Sequence, residues 1–351
     1  MLLVIFGAGA SYDSYGGWTG PMESRARERF DAANPYRPPL TRDLFEPREP
    51  VINTTRLLPE CGPWVAYMRD ELKQRQDGSP ATDSVESILA RLQASADANL
   101  SKRATLAIRL FLQRMLTECQ DRWSEIGTAN VTNYGALLAQ IAVAGVRAAC
   151  FVTFNYDTLL EQSLPAIGFR IDRLDAYVTH PAFKLIKPHG SLSWAHGITS
   201  QSGALLSPQL AVRWLIDHAP EIQPQSEFQF MLTPELGATG AGVALWPALA
   251  LPVATKSDFE CPPDHLDVLK ACLPQVTRVL TIGWRGAEQH FLPLLAEHLR
   301  ADRGLVVGKD QAEAQTICAG FKRAGLPGWS AANAGFTESL KNREIQHFLA
   351  S

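Results

Sequence analysis

The 351-residue sequence predicts an α/β fold: a Rossmann-like, doubly wound, mostly parallel sheet with a helical insert. Three observations predict it. Short apolar runs end in loops rich in Gly, Pro, Asn or His, as strands buried on both faces do. Segments with helical spacing alternate with the last of these runs. A long stretch of helical pattern with few strand signals separates the first run from the second.

The first run, Leu2-Leu3-Val4-Ile5-Phe6, stops at Gly7. Without a basic leader and at this length, it is far short of a signal-peptide core or a membrane span, so a buried strand is expected. Gly7-Ala8-Gly9-Ala10-Ser11 follows, a small-residue turn that lets a backbone approach a phosphate at a helix start. A tight strand-to-helix turn that binds nothing needs the same residues. The dehydrogenase fingerprint fits badly, because Tyr12 holds the third glycine position and no acidic strand end follows about 20 residues on. From Gly16 to about Pro50 the chain is rich in Pro, Gly and Arg, reading as a loop over a site that ends in a short helix.

Residues 51–145 read as a helical insert between the first two strands, within a single domain spanning 1–351. Asp83 and Glu86 can cap a helix on which Val85, Ile88, Leu89 and Leu92 form one apolar face. A second helix carries Leu106, Leu110 and Met115, and a third Leu137, Leu138 and Ile141. Arg147–Thr153, Lys184–Lys187, Trp246–Leu251, Arg278–Ile282 and Leu305–Val307 then read as strands of the parallel sheet. Helices are expected over Glu288–Leu299 and Gln311–Ala324, and a long loop or small excursion from Ser200 to Gly242.

Thirty-three basic against 36 acidic residues leave a net charge of −3, which supplies no attraction toward nucleic acid or anionic lipid. Six cysteines without close spacing read as reduced core residues of a cytoplasmic protein.

Chemistry concentrates at the strand ends. Phe151-Val152-Thr153-Phe154-Asn155-Tyr156-Asp157 delivers an amide and a carboxylate, although an Asx turn with a helix cap uses the same residues. In Lys187-Pro188-His189-Gly190-Ser191, a histidine between Pro and Gly is poorly explained as core packing and is the best candidate general base. Gly283-Trp284-Arg285-Gly286-Ala287-Glu288 is a glycine turn into a helix, where Glu288 also fits as a favourable first-turn charge. Val306-Val307-Gly308-Lys309-Asp310 is a further strand end.

Taken together and in order, Gly7–Ser11, Thr153–Asp157, Lys187–Ser191 and the strand leading to Gly283 resemble the sirtuin-like family, in its prokaryotic branch of NAD hydrolases associated with antiphage defence. Pro39-Leu40-Thr41, Val85–Leu89 and Ala334-Gly335-Phe336 are weaker echoes. The resemblance implies that Gly7, Ala8, Gly9 and Ser11 cradle the phosphates of NAD, with Thr41 in the same binding region. It makes Asn155 and Asp157 holders of the nicotinamide and its ribose, and His189 the catalytic base. Gly283, Trp284, Asp310 and Glu288 would line the adenosine half, although Arg285 stands where the family commonly has Ser. The Cys-x-x-Cys pairs of the deacylating sirtuins' zinc module are missing, as is a clear acyl-lysine-binding segment; Trp246–Lys256 stands in its place. Hydrolysis of the nicotinamide–ribose bond, with NAD as substrate and no metal, is the implied reaction. Protein deacylation, ADP-ribosyl transfer or NAD sensing are the alternatives. A homo-oligomer is expected, and a separate activating partner such as a ring-forming ATPase is implied.

Overall fold

A computed structural model describes residues 1–14, 34–73, 84–126, 132–198, 208–231, 245–253, 259–288 and 290–351. Its strands are β1 (Leu2–Phe6), β2 (Ala149–Thr153), β3 (Phe183–Ile186), β4 (Gly190–Ile198), β5 (Pro224–Phe230), β6 (Leu245–Leu249), β7 (Arg278–Ile282), β8 (Arg303–Val307) and β9 (Ser330–Ala331). The helices up to the second strand are α1 (Ala8–Tyr12), α2 (Glu49–Leu57), α3 (Gly62–Lys73), α4 (Val85–Gln93), α5 (Ala98–Ile126) and α6 (Asn133–Val143). Those beyond it are α7 (Leu159–Ser163), α8 (Ala176–Thr179), α9 (Pro208–His218), α10 (Pro263–Cys272), α11 (Phe291–His298), α12 (Gln311–Arg323), α13 (Phe336–Lys341) and α14 (Glu344–Ala350).

Six strands form one parallel sheet in the order β3-β2-β1-β7-β8-β9. β1 pairs along its whole length with β2 on one side and β7 on the other, which is why all five of its side chains are buried and apolar. The chain winds outward from β1 through β2 to β3, then returns and winds the other way through β7, β8 and β9. The order reverses between β1 and β7, and in such sheets the crevice beyond the carboxyl ends at that point is where ligands bind. The doubly wound class is therefore the observed one.

Two expectations need correction. Trp246–Leu251 does not join the parallel sheet: β6 pairs antiparallel with β4, and β5 pairs with the other edge of β4. The cause lies in β4, whose large residues Leu192, Trp194, His196 and Ile198 alternate with small Ser191, Ser193, Ala195 and Gly197, the period-two pattern of a two-faced strand. The Ser200–Gly242 segment, read as loop or excursion, holds α9 and β5, while 199–207 and 232–244 lie outside the described residues.

The described residues between β1 and β2 are mostly helical, and Ser84 caps α4, its hydroxyl accepting from the Ser87 N–H at 3.3 Å; Asp83, the expected cap, lies outside the described residues. Val85, Ile88, Leu89 and Leu92 are the buried face. They pack with α5, α9 and parts of β4 and β6 into a second core, separate from that of the parallel sheet. Helix α6 divides otherwise: Tyr134, Leu137, Leu138 and Ile141 belong to the sheet's core. Of the cysteines, all six are free and five are buried.

Candidate functional site

A cleft of about 1200 Å³ opens at the carboxyl ends of β1 and β7, between the sheet and the insert. Gly7, Ala8, Gly9, Ser11, Thr41, Asn155, Asp157, His189, Gly283, Trp284 and Glu288 all line it. Asp310 does not: its carboxylate caps α12, accepting from the Glu313 N–H at 2.8 Å, and Gly308, Lys309 and Glu313 line the cleft beside it.

The glycines have a role that the sequence did not disclose. A Cβ on Gly7 would lie 2.4 Å from the Gly283 carbonyl oxygen, and one on Gly9 2.9 Å from the Gly283 Cα. Gly283 itself has φ +60 and would place a Cβ 2.4 Å from the Ala10 nitrogen. The turn after β1 and the turn after β7 thus pack backbone on backbone, joined by Gly7 N–H to Ile282 O (3.0 Å) and Gly9 N–H to Gly283 O (3.3 Å). Contact between the turns accounts for these glycines before any ligand is considered.

Ser11 is turned inward. Its hydroxyl lies 2.8 Å from the Tyr134 hydroxyl and accepts from the Asn155 side-chain amide at 2.8 Å, with only 2% of the residue exposed. The Asn155 amide nitrogen also donates to Gly7 O at 3.0 Å and reaches the Tyr134 oxygen at 3.4 Å. Tyr134 is brought there by α6, its ring edge-on to Phe6 and Phe336; burial holds its phenol well above the ordinary range. No feature of the sequence around Tyr134 set it apart from the apolar face of its helix.

Asp157 both lines the cleft and satisfies the Asx reading: one carboxylate oxygen accepts from the Leu159 N–H at 3.1 Å. Its loop is held from two directions. The side-chain amide oxygen of Gln120, on α5, accepts from the Thr158 N–H at 2.6 Å. The Lys187 ammonium, fully buried, donates to the Asp157 backbone oxygen and, at 2.8 Å, to the Glu161 carboxylate. Burial pushes the Glu161 carboxyl up, with Lys187 opposing the shift.

His189 follows on a tight turn closed by Gly190 N–H to Lys187 O at 3.1 Å. Gly190 must be glycine: its φ is +85, and a Cβ there would sit 1.9 Å from the Ala248 carbonyl oxygen. The backbone oxygen of His189 accepts from Ala250, and its imidazole stands edge-on to Phe154 at 4.8 Å. His290, which the sequence reading passed over, also lines the cleft, its ring 6.1 Å from that of His189.

Beyond β7, the Trp284 indole is packed inward against Phe154 and Phe321, 2% exposed, and its N–H donates to Glu288 at 2.5 Å. Glu288 precedes the helix expected to start at it, since α11 begins at Phe291. Arg285 is engaged at the rim with Glu313 at 2.8 Å. Opposite, Arg37 lines the cleft, its guanidinium 3.7 Å over the Tyr12 ring and donating to Tyr12 O. Arg37 was visible only as part of a proline-rich loop, and residues 15–33 of that loop lie outside the described residues.

Among the described residues no helix is long and apolar enough to cross a membrane. No protein-family model matches the chain, and no curated protein matches it.

Proposed function

We propose that the protein is an NAD hydrolase that cleaves the nicotinamide–ribose bond to release nicotinamide and ADP-ribose. The observation carrying this reading is the convergence of Asn155, Asp157 and His189, from the ends of adjacent elements, on one cleft at the reversal point of a dinucleotide-type sheet. At about 1200 Å³ the cleft has room for a dinucleotide.

The nicotinamide of NAD is already a cationic leaving group, so cleavage mainly requires stabilising an oxocarbenium-like ribose and aiming a nucleophile. The Asp157 carboxylate supplies negative charge near the developing cation, and its backbone is held by Lys187 and Gln120 through the neighbouring Thr158. His189, fixed by its Pro-His-Gly turn, takes a proton from water or a ribose hydroxyl. Arg37 supplies a cation for the pyrophosphate. A hydrolase of this kind needs control in its own cell, so an activating protein partner and a homo-oligomeric state belong to the proposal, as does a role in antiphage defence.

The test is incubation with NAD, alone and with candidate partners, following nicotinamide, ADP-ribose and any acylated or ribosylated acceptor by chromatography. His189→Ala and Asn155→Ala are expected to lose about 10²-fold or more in turnover while keeping wild-type circular dichroism. Wild-type turnover in both folded variants refutes the site. Transfer of ADP-ribose to an acceptor other than water identifies a transferase instead.

A further inference from the structure

The side-chain amide of Asn155 has two faces, and only one is free to meet a ligand. Its nitrogen carries two hydrogens; Gly7 O accepts at 3.0 Å and Ser11 Oγ at 2.8 Å. A backbone carbonyl can only accept, so rotating the amide to place its oxygen there would set two acceptors against each other. The nitrogen is therefore turned into the protein, and the carbonyl oxygen is the atom offered to the cleft that Asn155 lines.

We propose that Tyr134 and Ser11 are positioning residues that lock Asn155 as a hydrogen-bond acceptor in the cleft. The ligand group it faces is thus an N–H or O–H donor: the attacking water or the carboxamide of nicotinamide. That identification of the ligand rests on the NAD-hydrolase reading; the clamp itself does not. Ser11 sits on α1, Asn155 follows β2, and Tyr134 arrives on α6, the last helix of the insert, so three separated segments meet at one amide. Tyr134 anchors the set because its ring is wedged between Phe6 and Phe336, at 5.4 and 6.2 Å, while its hydroxyl fixes the Ser11 side chain at 2.8 Å. An acceptor oxygen so held also places partial negative charge toward a developing oxocarbenium ion.

Tyr134→Phe tests this by removing one oxygen and keeping the ring. In the hydrolysis assay it is expected to lower kcat about 10- to 100-fold with KM for NAD unchanged, because a misaligned group costs the transition state more than the bound substrate. Ser11→Ala should do the same, and the double variant should lose less than the product of the two, as members of one network do. The independent readout is hydrogen exchange of the Asn155 side-chain amide, followed by NMR in protein carrying ¹⁵N-asparagine. Exchange at least about tenfold faster in Tyr134→Phe than in wild type supports the clamp. Wild-type exchange together with wild-type kcat overturns it. Should the wild-type protein never turn over NAD, the hydrolase reading fails, and the exchange measurement alone decides the clamp: faster in both variants upholds it, unchanged in both overturns it.

Discussion

Gly283→Ala separates two explanations of the glycine turns. If Gly283 serves packing, the substitution acts on the empty protein; if it serves only close approach of a ligand, it acts on binding alone. At φ +60 an alanine pays for a left-handed backbone with about 1–2 kcal/mol. Its Cβ would also lie 2.4 Å from the Ala10 nitrogen and 2.6 Å from the Gly9 carbonyl carbon. Both are backbone atoms that cannot rotate aside, so the two turns must part, at about 1–3 kcal/mol for overpacking. The expected loss is roughly 2–5 kcal/mol, a large share of the ~5–15 kcal/mol that holds a typical domain. Urea unfolding of ligand-free protein, followed by tryptophan fluorescence, should show the midpoint falling with little change in slope. A wild-type midpoint in the absence of ligand, with NAD or ADP-ribose affinity lost, would refute the packing account and return these glycines to phosphate binding.

Other perturbations address the groups around the cleft. Lys187→Met leaves the Glu161 carboxylate buried without its cation, and is expected to cost about 3–5 kcal/mol in urea unfolding, partly recovered by adding Glu161→Gln; no recovery would mean that the bond to the Asp157 backbone, not the ion pair, is the main contribution. Arg37→Ala should weaken ADP-ribose binding about tenfold or more by calorimetry, with less effect at high salt, and an unchanged affinity would remove Arg37 from the phosphate site. His265 is fully buried between the rings of Tyr177 and Trp194, and burial lowers its pKa below the ordinary 6.5. The unfolded imidazole therefore takes its proton first, so stability falls as pH drops below about 6.5 and goes on falling until the folded imidazole also titrates. His265→Phe should flatten that slope in unfolding measured between pH 7 and 5; an unaltered slope would assign the acid sensitivity to another group.

The parallel sheet was legible because β1, β2, β7 and β8 are buried on both faces, and a strand so placed must be written as an apolar run. β4 carries a different signal, large residues alternating with small ones, and its small Ser and Gly positions look like loop when scanned for apolar runs. β9 is two residues long, too short for any periodicity. At the site, Asn155, Asp157 and His189 stand out because polar side chains at the ends of buried strands have few structural reasons to be there. Tyr134 and Gln120 do not stand out. A tyrosine or glutamine on an amphipathic helix is ordinary until the helix is seen to lay that side chain against a segment more than a hundred positions away for Tyr134 and Ser11, or nearly forty for Gln120 and Thr158.

β1 lies between β2 and β7, so its two neighbours come from positions 149–153 and 278–282 of the chain. A ribosome adds residues in order, and long-range pairings of this kind form late and slowly. Until Arg278–Ile282 has left the exit tunnel, β1 has one bare edge, the turn at Gly7 has nothing to press against, and Asn155 and His189 face a cleft with one wall missing. For an enzyme proposed to consume NAD, this strand order places completion of the site late in synthesis: the wall opposite β2 arrives only with about the last fifth of the 351 residues.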